Sequence, residues 1–249
     1  MVQLVLGIDV GGSAIKAGAV DITSGRLSGS LKAVPTPRPA TPAALAGVLR
    51  ELAGMHAAVS GRVGVAFPSV IKAGIAWTAA NIDSSWIGAA AEQLTSRTLG
   101  RPVLFLNDAD AAGLAEMRWG AGRSCQGTVI MVTLGTGIGT ALFTGGRLFP
   151  NTELGHLELR GMDAEKRASA HARTAERLDF PAWAARVDEY LQTMDRLFWP
   201  DLFILGGAVS ERFTEFAPYL HARAQLRPAQ FGNQAGVIGA ALAAGDAQA

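Results

Sequence analysis

The chain has 249 residues, 49% of them apolar, which suits one large domain or two modest ones around a sizeable core. Its 22 Lys+Arg stand against 21 Asp+Glu, a net charge of +1 that argues against a general nucleic-acid or membrane-surface role. The single cysteine, Cys125, rules out an intramolecular disulfide and a multi-cysteine zinc site.

Leu4 to Asp9 reads as a strand, Gly11-Gly12-Ser13 as a tight turn and Ala14 to Val20 as the returning strand. The pattern D-x-G-G-S-x-x-K runs from Asp9 to Lys16. Gly11 and Gly12 let backbone N–H groups close on a phosphate, Ser13 can donate a hydrogen bond, and Asp9 can hold a hydrated Mg²⁺. An ordinary glycine hairpin fits the same residues. Asp21 to Gly29 reads as a turn, Gly29 to Val34 as a third strand, and Pro35 to Pro42 as a surface connection. From Pro42, Leu45, Val48, Leu49 and Leu52 form a helical apolar stripe. Arg62 to Phe67 is a strand, and Ser69 sits in a simple turn after it. Lys72 to Ile82 holds a short hairpin. The stretch from Asn81 to Trp86 either lines a sugar cleft or is a capped loop with a core tryptophan. Ala89 to Leu99 is a helix ended by Gly100.

Val103 to Leu106 reads as a fully buried parallel strand that stops at Asn107 and Asp108, where a helix to Trp119 begins. In open α/β sheets ligands bind at such carboxyl ends. Thr128 to Leu134, the Gly135–Gly139 turn and Thr140 to Phe143 repeat the opening strand–glycine turn–strand order, which suggests a duplicated fold. Thr136 and Gly137 are then phosphate-loop candidates. Glu153 and His156 lie three apart around a glycine, on one side of a turn, and can meet sugar hydroxyls; a solvated surface loop is the alternative. Glu158 alternates with Leu157 and Leu159 as a solvated strand position. Met162 to Leu178 reads as a charged helix broken by Phe180-Pro181. Trp183 to Trp199 follows as an amphipathic helix with Trp183, Val187, Tyr190, Leu191, Met194, Leu197 and Phe198 inward. Asp201 to Leu205 is a buried strand, and Gly206-Gly207 after it can take a nucleotide or a polyanion, or simply pack closely. Phe213 to Gln225 and Gln234 to Ala244 read as helices, with a frayed tail beyond. No leader with a charged start and apolar core and no run of membrane-spanning length is visible, so a cytoplasmic protein is expected.

Taken together, D-V-G-G-S-A-I-K, L-N-D-A-D-A-A-G, T-L-G-T-G-I-G and E-L-G-H, in this order, resemble the ROK branch of the actin-like sugar kinases. The stretches Asn107 to Gly122, Pro150 to Glu158 and Asp201 to Ser210 resemble the subgroup that uses polyphosphate to phosphorylate glucose. The resemblance implies an α/β, duplicated actin-like ATPase (ribonuclease H-like) fold of two α/β domains with a central cleft. The expected domains are 1–106 with 232–249, and 107–231. It implies Asp108 as the general base toward the sugar 6-hydroxyl, with Asn107, Glu153 and His156 on the sugar. Glu165 is a third sugar-binding acid, since Asp163 to Ser169 keeps an E-x-x-x-S ending although the family's cysteine-rich zinc loop is missing; no zinc is expected. Asn81 joins the sugar-binding group. Gly11, Gly12, Ser13, Lys16, Thr136, Gly137 and Gly207 would bind phosphate, and Asp9 would hold Mg²⁺ through water. Ser13 stands where the family usually has threonine.

The expected partners are glucose and inorganic polyphosphate, with ATP as a further donor, in a homodimer that binds neither nucleic acid nor membrane. Lys72, Arg97, Arg101, Arg118, Arg123, Arg147, Lys166 and Arg167 are candidates for a polyphosphate path, each equally readable as a solvated surface charge. The competing readings are a strictly ATP-dependent hexose kinase of the same family, and a non-catalytic sugar-binding or regulatory relative. A regulator would carry an N-terminal helix-turn-helix, for which the phosphate loop at Asp9 leaves no room.

Overall fold

Along the first strand, β1 (Leu4–Val10), Leu6, Ile8 and Val10 face one way and Gly7 and Asp9 the other. That alternation puts helices on both faces of the sheet. The computed structural model describes residues 2–247; Met1, Gln248 and Ala249, the last two in the expected frayed tail, lie outside the described residues. After β1 come β2 (Ala14–Asp21), β3 (Arg26–Leu27), β4 (Lys32–Pro35), α1 (Pro42–Gly54), β5 (Val63–Phe67), β6 (Ile71–Lys72), β7 (Ile75–Ala76), α2 (Ala91–Leu99), β8 (Val103–Asn107) and α3 (Asp108–Trp119). Then follow β9 (Thr128–Leu134), β10 (Ile138–Thr144), β11 (Arg147–Phe149), β12 (Glu158–Leu159), β13 (Met162–Asp163), α4 (Ala164–Ala168), α5 (Ala170–Ala175), α6 (Phe180–Phe198), β14 (Leu202–Gly206), α7 (Phe213–Phe216), β15 (Gln225–Pro228) and α8 (Ala235–Asp246). The chain divides into two units. One takes residues through Ala115 and again from Gln234 onward; the other runs from Glu116 to Asn233. The division falls inside α3, where the sequence reading placed it after residue 106.

In the first unit the sheet order is β3-β2-β1-β5-β8, with β4 also paired to β2. β1 and β2 form the antiparallel hairpin, and β1, β5 and β8 run parallel. One face packs Leu6, Ile8, Val63, Val65 and Phe67 against Leu45, Leu49 and Leu52 of α1 and against Trp86. Thr41 caps α1 by accepting the Ala44 N–H, and Pro42 enters its first turn at no hydrogen-bonding cost. α8 covers the other face, where its small residues let it lie directly on the sheet. A Cβ on Gly64 would stand 1.8 Å from the Ala240 carbonyl oxygen, and one on Gly7 2.0 Å from that of Val237. β8 is the edge strand, so Leu104 and Leu106 are only half-buried where the sequence suggested a fully buried strand.

The second unit repeats the plan, with sheet order β11-β10-β9-β14-β15. β9 and β10 form the hairpin, and β9, β14 and β15 run parallel. Its core joins Ile130, Val132, Phe203 and Leu205 to Trp183, Val187, Tyr190, Leu191 and Met194 of α6 and to Phe216.

Several elements depart from the sequence reading. In place of one strand over 29–34 there are β3 and β4, set by left-handed Gly25 and Gly29. The expected charged helix 162–178 is a strand, β13, and two short helices. Ser169 splits them by leaving α4 in an extended conformation and capping α5 through the Ala172 N–H, 3.1 Å away. Pro181 does not break a helix but sits in the first turn of α6, behind the Asp179 cap. Leu197, read as inward, is 60% exposed. The expected helix 213–225 stops after one turn near Pro218. Buried Asp188 and Asp195 of α6 accept the backbone N–H groups of His221 and Arg223, and the chain continues as β15. No helix among the described residues is long and apolar enough to cross a membrane.

Candidate active site

Three candidate groups converge at the carboxyl end of the first unit's sheet. Asp9 pairs in register with Ala66, and Ala66 with Leu106, so Asp9 and the end of β8 lie two strand spacings apart, about 10 Å. Next to Asp9 the first glycine turn is closed by Gly11 N–H to Ala14 O at 3.0 Å. Buried Thr36 braces it, donating its hydroxyl to Gly11 O at 2.6 Å and its N–H to Ser13 O at 3.1 Å. Ser13 itself is exposed. Asn81 packs on this turn: a Cβ on Gly12 would lie 3.1 Å from Asn81 Cβ. Asn81 takes a left-handed φ of 60°, which asparagine tolerates. Lys16 stands directly opposite Asp9 across the hairpin, its Nζ 3.5 Å from Oδ2. Burial pushes the Asp9 carboxyl above its ordinary range, and Lys16 offsets part of that.

At the strand-to-helix handover Asn107 is 7% exposed. Its side-chain oxygen accepts the N–H groups of Ala109 at 2.9 Å and Asp110 at 3.1 Å, which starts α3, and its Nδ2 donates to Ser69 O at 3.3 Å. Asp108 is the first residue of α3, half-buried, with Oδ1 2.8 Å from the Ala109 N–H. Ser69 is a turn residue, its hydroxyl donating to Thr78 O at 2.7 Å. Trp86 is core: its indole N–H donates to Ala40 O and its ring meets Phe67 edge-on at 4.7 Å.

In the second unit the glycine turn is closed by Gly135 N–H to Gly137 O at 3.0 Å, and Thr136 is exposed on it. Glu165 lies against this turn. Its Oε2 accepts the Ile138 N–H at 3.3 Å and would stand 2.3 Å from a Cβ on Gly137, so a larger residue there would push the Glu165 carboxylate aside. Gly155 is constrained by backbone, since its Cβ would meet the Ile138 carbonyl oxygen at 2.1 Å. That contact seats the Glu153–His156 turn on the start of β10. His156 then faces three carboxylates: Glu153 Oε2 at 3.8 Å from Nε2, and Asp163 Oδ2 at 3.3 Å and Glu165 Oε1 at 3.9 Å from Nδ1. Desolvation raises the Glu153 carboxyl, His156 lowers it and Glu165 raises it further. Gly207, at φ 85°, packs on the Leu134 carbonyl, where a Cβ would come within 2.3 Å.

The structure therefore gathers Asp9, Gly11, Gly12, Ser13, Lys16 and Asn81, with Asn107 and Asp108 along the same sheet end. It separately gathers Thr136, Gly137, Glu153, His156 and Glu165. Of the cations considered for a polyphosphate path, Arg101 is spent on the Gly61 and Val59 carbonyls, Arg167 pairs with Glu189 and Lys166 approaches Asp163. Arg118 lies 6.0 Å from the Trp119 ring centroid, and Lys72, Arg97, Arg123 and Arg147 are exposed. Two residues were missed in the sequence. Thr36 was hidden in a proline-rich stretch, and Asp163 in an expected helix; the only cue to the hairpin that presents Asp163 was Gly161, left-handed at its tip.

The ROK family model matches residues 5–174, and the chain belongs to the ROK family. It is 45% identical over 238 residues to a polyphosphate glucokinase of Mycobacterium tuberculosis, covering 95% of this chain and 89% of that protein. A polyphosphate glucokinase of Mycobacterium leprae is 43% identical, with 95% and 73% covered. Among solved structures, the inorganic polyphosphate/ATP-glucomannokinase of Arthrobacter sp. strain KM matches with a TM-score of 0.95 and 44% identity, over 98% of this chain and 99% of that one. A ROK family glucokinase of Streptomyces griseus, in complex with glucose and AMPPNP, matches with a TM-score of 0.80 and 27% identity, over 96% and 98%. The twin sheets are the duplication of the actin-like ATPase fold that these sugar kinases share.

Proposed function

We propose that this chain transfers a phosphoryl group from inorganic polyphosphate, and from ATP as a second donor, to the 6-hydroxyl of glucose. What carries the reading is its likeness, over nearly the whole chain, to proteins named polyphosphate glucokinase and polyphosphate/ATP-glucomannokinase. The disposition of polar groups supports it.

Phosphoryl transfer needs positioning and charge stabilisation more than covalent chemistry. Asp108 accepts the proton of the attacking hydroxyl as that oxygen bonds to the terminal phosphorus, whose bond to the donor's bridging oxygen breaks and releases the shortened polyphosphate or ADP. Asn107 has a second Nδ2 proton for a sugar oxygen while its carbonyl holds α3. Glu153, His156 and Glu165 take ring hydroxyls, and Asn81, packed on the first glycine turn, belongs to the sugar-binding set. The donor phosphates meet backbone N–H groups of Gly11, Gly12, Gly137 and Gly207, the hydroxyls of Ser13 and Thr136, and the charge of Lys16. Asp9 presents a hard carboxylate oxygen beside the first turn, the donor type Mg²⁺ takes with its waters retained, so the residues fit that ion. Mg²⁺ would neutralise charge on the donor phosphates. The reading includes a cytoplasmic homodimer.

A coupled assay of glucose 6-phosphate, comparing polyphosphate and ATP as donors and glucose and mannose as acceptors, tests it. We expect product from polyphosphate and glucose. Turnover with ATP alone would make the chain an ATP-dependent hexose kinase, and no product from either donor would leave a non-catalytic sugar-binding protein.

A further inference from the structure

His156 is flanked by three carboxylates, and the nearest of them, Asp163, has no part in the sugar site described above. Asp163 ends the β12–β13 hairpin and stands at the N-cap of α4. An aspartate there ordinarily turns its carboxylate back onto an N–H of the first turn. Here it makes no such bond. The carboxylate instead reaches Nδ1 of His156 at 3.3 Å, with Lys166 Nζ 3.9 Å away. The hairpin fixes this approach, since Glu158 pairs with Asp163 and Leu159 with Met162. The Ala164 N–H closes the segment by donating to Leu157 O at 2.9 Å. The local sequence has forgone a helix cap in favour of a contact with the imidazole.

We propose that Asp163 is a positioning residue: it holds the Nδ1 proton of His156, so that Nε2, beside Glu153, is the ring atom presented to a sugar hydroxyl. In the neutral ring Nε2 is then an acceptor; in the charged ring it donates, and Nδ1 keeps its proton in both. The sugar half of this inference rests on the proposed function, whereas the Asp163–His156 link does not.

The test is ¹H–¹⁵N NMR of the imidazole ring in the full chain, at a pH where His156 is neutral, its signal assigned by loss in His156→Gln. Two variants separate positioning from structure. Asp163→Ser can cap α4 but takes away the acceptor within reach of Nδ1, leaving Glu165 Oε1 at 3.9 Å, outside hydrogen-bond distance, while Asp163→Asn keeps an acceptor. We expect the Nδ1–H tautomer in the wild type and in Asp163→Asn, and a shift to Nε2–H in Asp163→Ser. In Asp163→Ser the glucose KM should rise about tenfold, the scale of one hydrogen bond to a charged group. kcat and the donor KM should stay near wild type, and adding His156→Gln should bring little further rise. An Nε2–H ring in the wild type, or an unmoved glucose KM in Asp163→Ser, overturns the proposal. A wild type that makes no glucose 6-phosphate defeats the kinase reading, and the tautomer then decides the Asp163–His156 link by itself.

Discussion

Burial holds the Asp9 carboxyl above its ordinary value of 3.8, and Lys16 across the hairpin only partly offsets this. The unfolded chain keeps the ordinary value, so the native state binds this proton more tightly. The resulting cost is absent below the unfolded value, grows as pH rises toward the raised folded value, and is complete above it. We therefore expect Asp9→Asn to raise the melting temperature at neutral pH, with the gap closing as the pH falls into the carboxylate range, while phosphoryl transfer drops. Thermal unfolding followed across pH checks this; a variant less stable than wild type at neutral pH would mean that the Lys16 pairing outweighs burial. Asp9 and Asp108 were legible as strand-end carboxylates because an abrupt stop of an apolar run is visible in sequence. The Nδ2 contact of Asn107 was not, since it depends on where Ser69 O lies in three dimensions. Asp163 was equally hidden, because its partner His156 is reached through a hairpin that local pattern did not announce.

At the scale of elements, α8 lies so close to the sheet that backbone meets backbone. A methyl at Gly64 would fall 1.8 Å from the Ala240 carbonyl oxygen. Neither β5 nor α8 can yield without opening the core, so Gly64→Ala should destabilise the fold by at least about 1–3 kcal/mol, the usual cost of overpacking. Chemical denaturation measures it, and a wild-type midpoint with an unchanged slope would show that α8 has room to shift. The small residues of α8 made this helix readable, although its tight seat on the strands was not. Both glycine hairpins were legible from strand–turn–strand spacing. The second unit's periphery was less so. Gln225–Pro228 is a strand because it pairs with β14 and because acids on α6 hold the preceding loop, contacts no local window contains. Pro181 carried a usable signal, Asp179 just before it, and reads correctly once proline is allowed in a first helical turn.

At the scale of the whole molecule, one sheet plan occurs twice, each copy opening with a strand, a glycine turn and an antiparallel return. In the proposed function each copy also carries part of the chemistry: Asp9, Asn107 and Asp108 at the strand ends of the first, and Glu153, His156 and Glu165 around the glycine turn of the second. The duplication was readable from the two glycine turns. The choice of polyphosphate as donor was not, because no run of cations in the sequence marks a path, and it rests on the likeness to named relatives. The central claim is that Asp108 takes the sugar proton. The turnover number of Asp108→Asn, with polyphosphate and glucose at saturation, tests it most directly. We expect a fall of at least about 10²-fold, the usual loss for a general base, with glucose still bound; turnover near that of the wild type would contradict it.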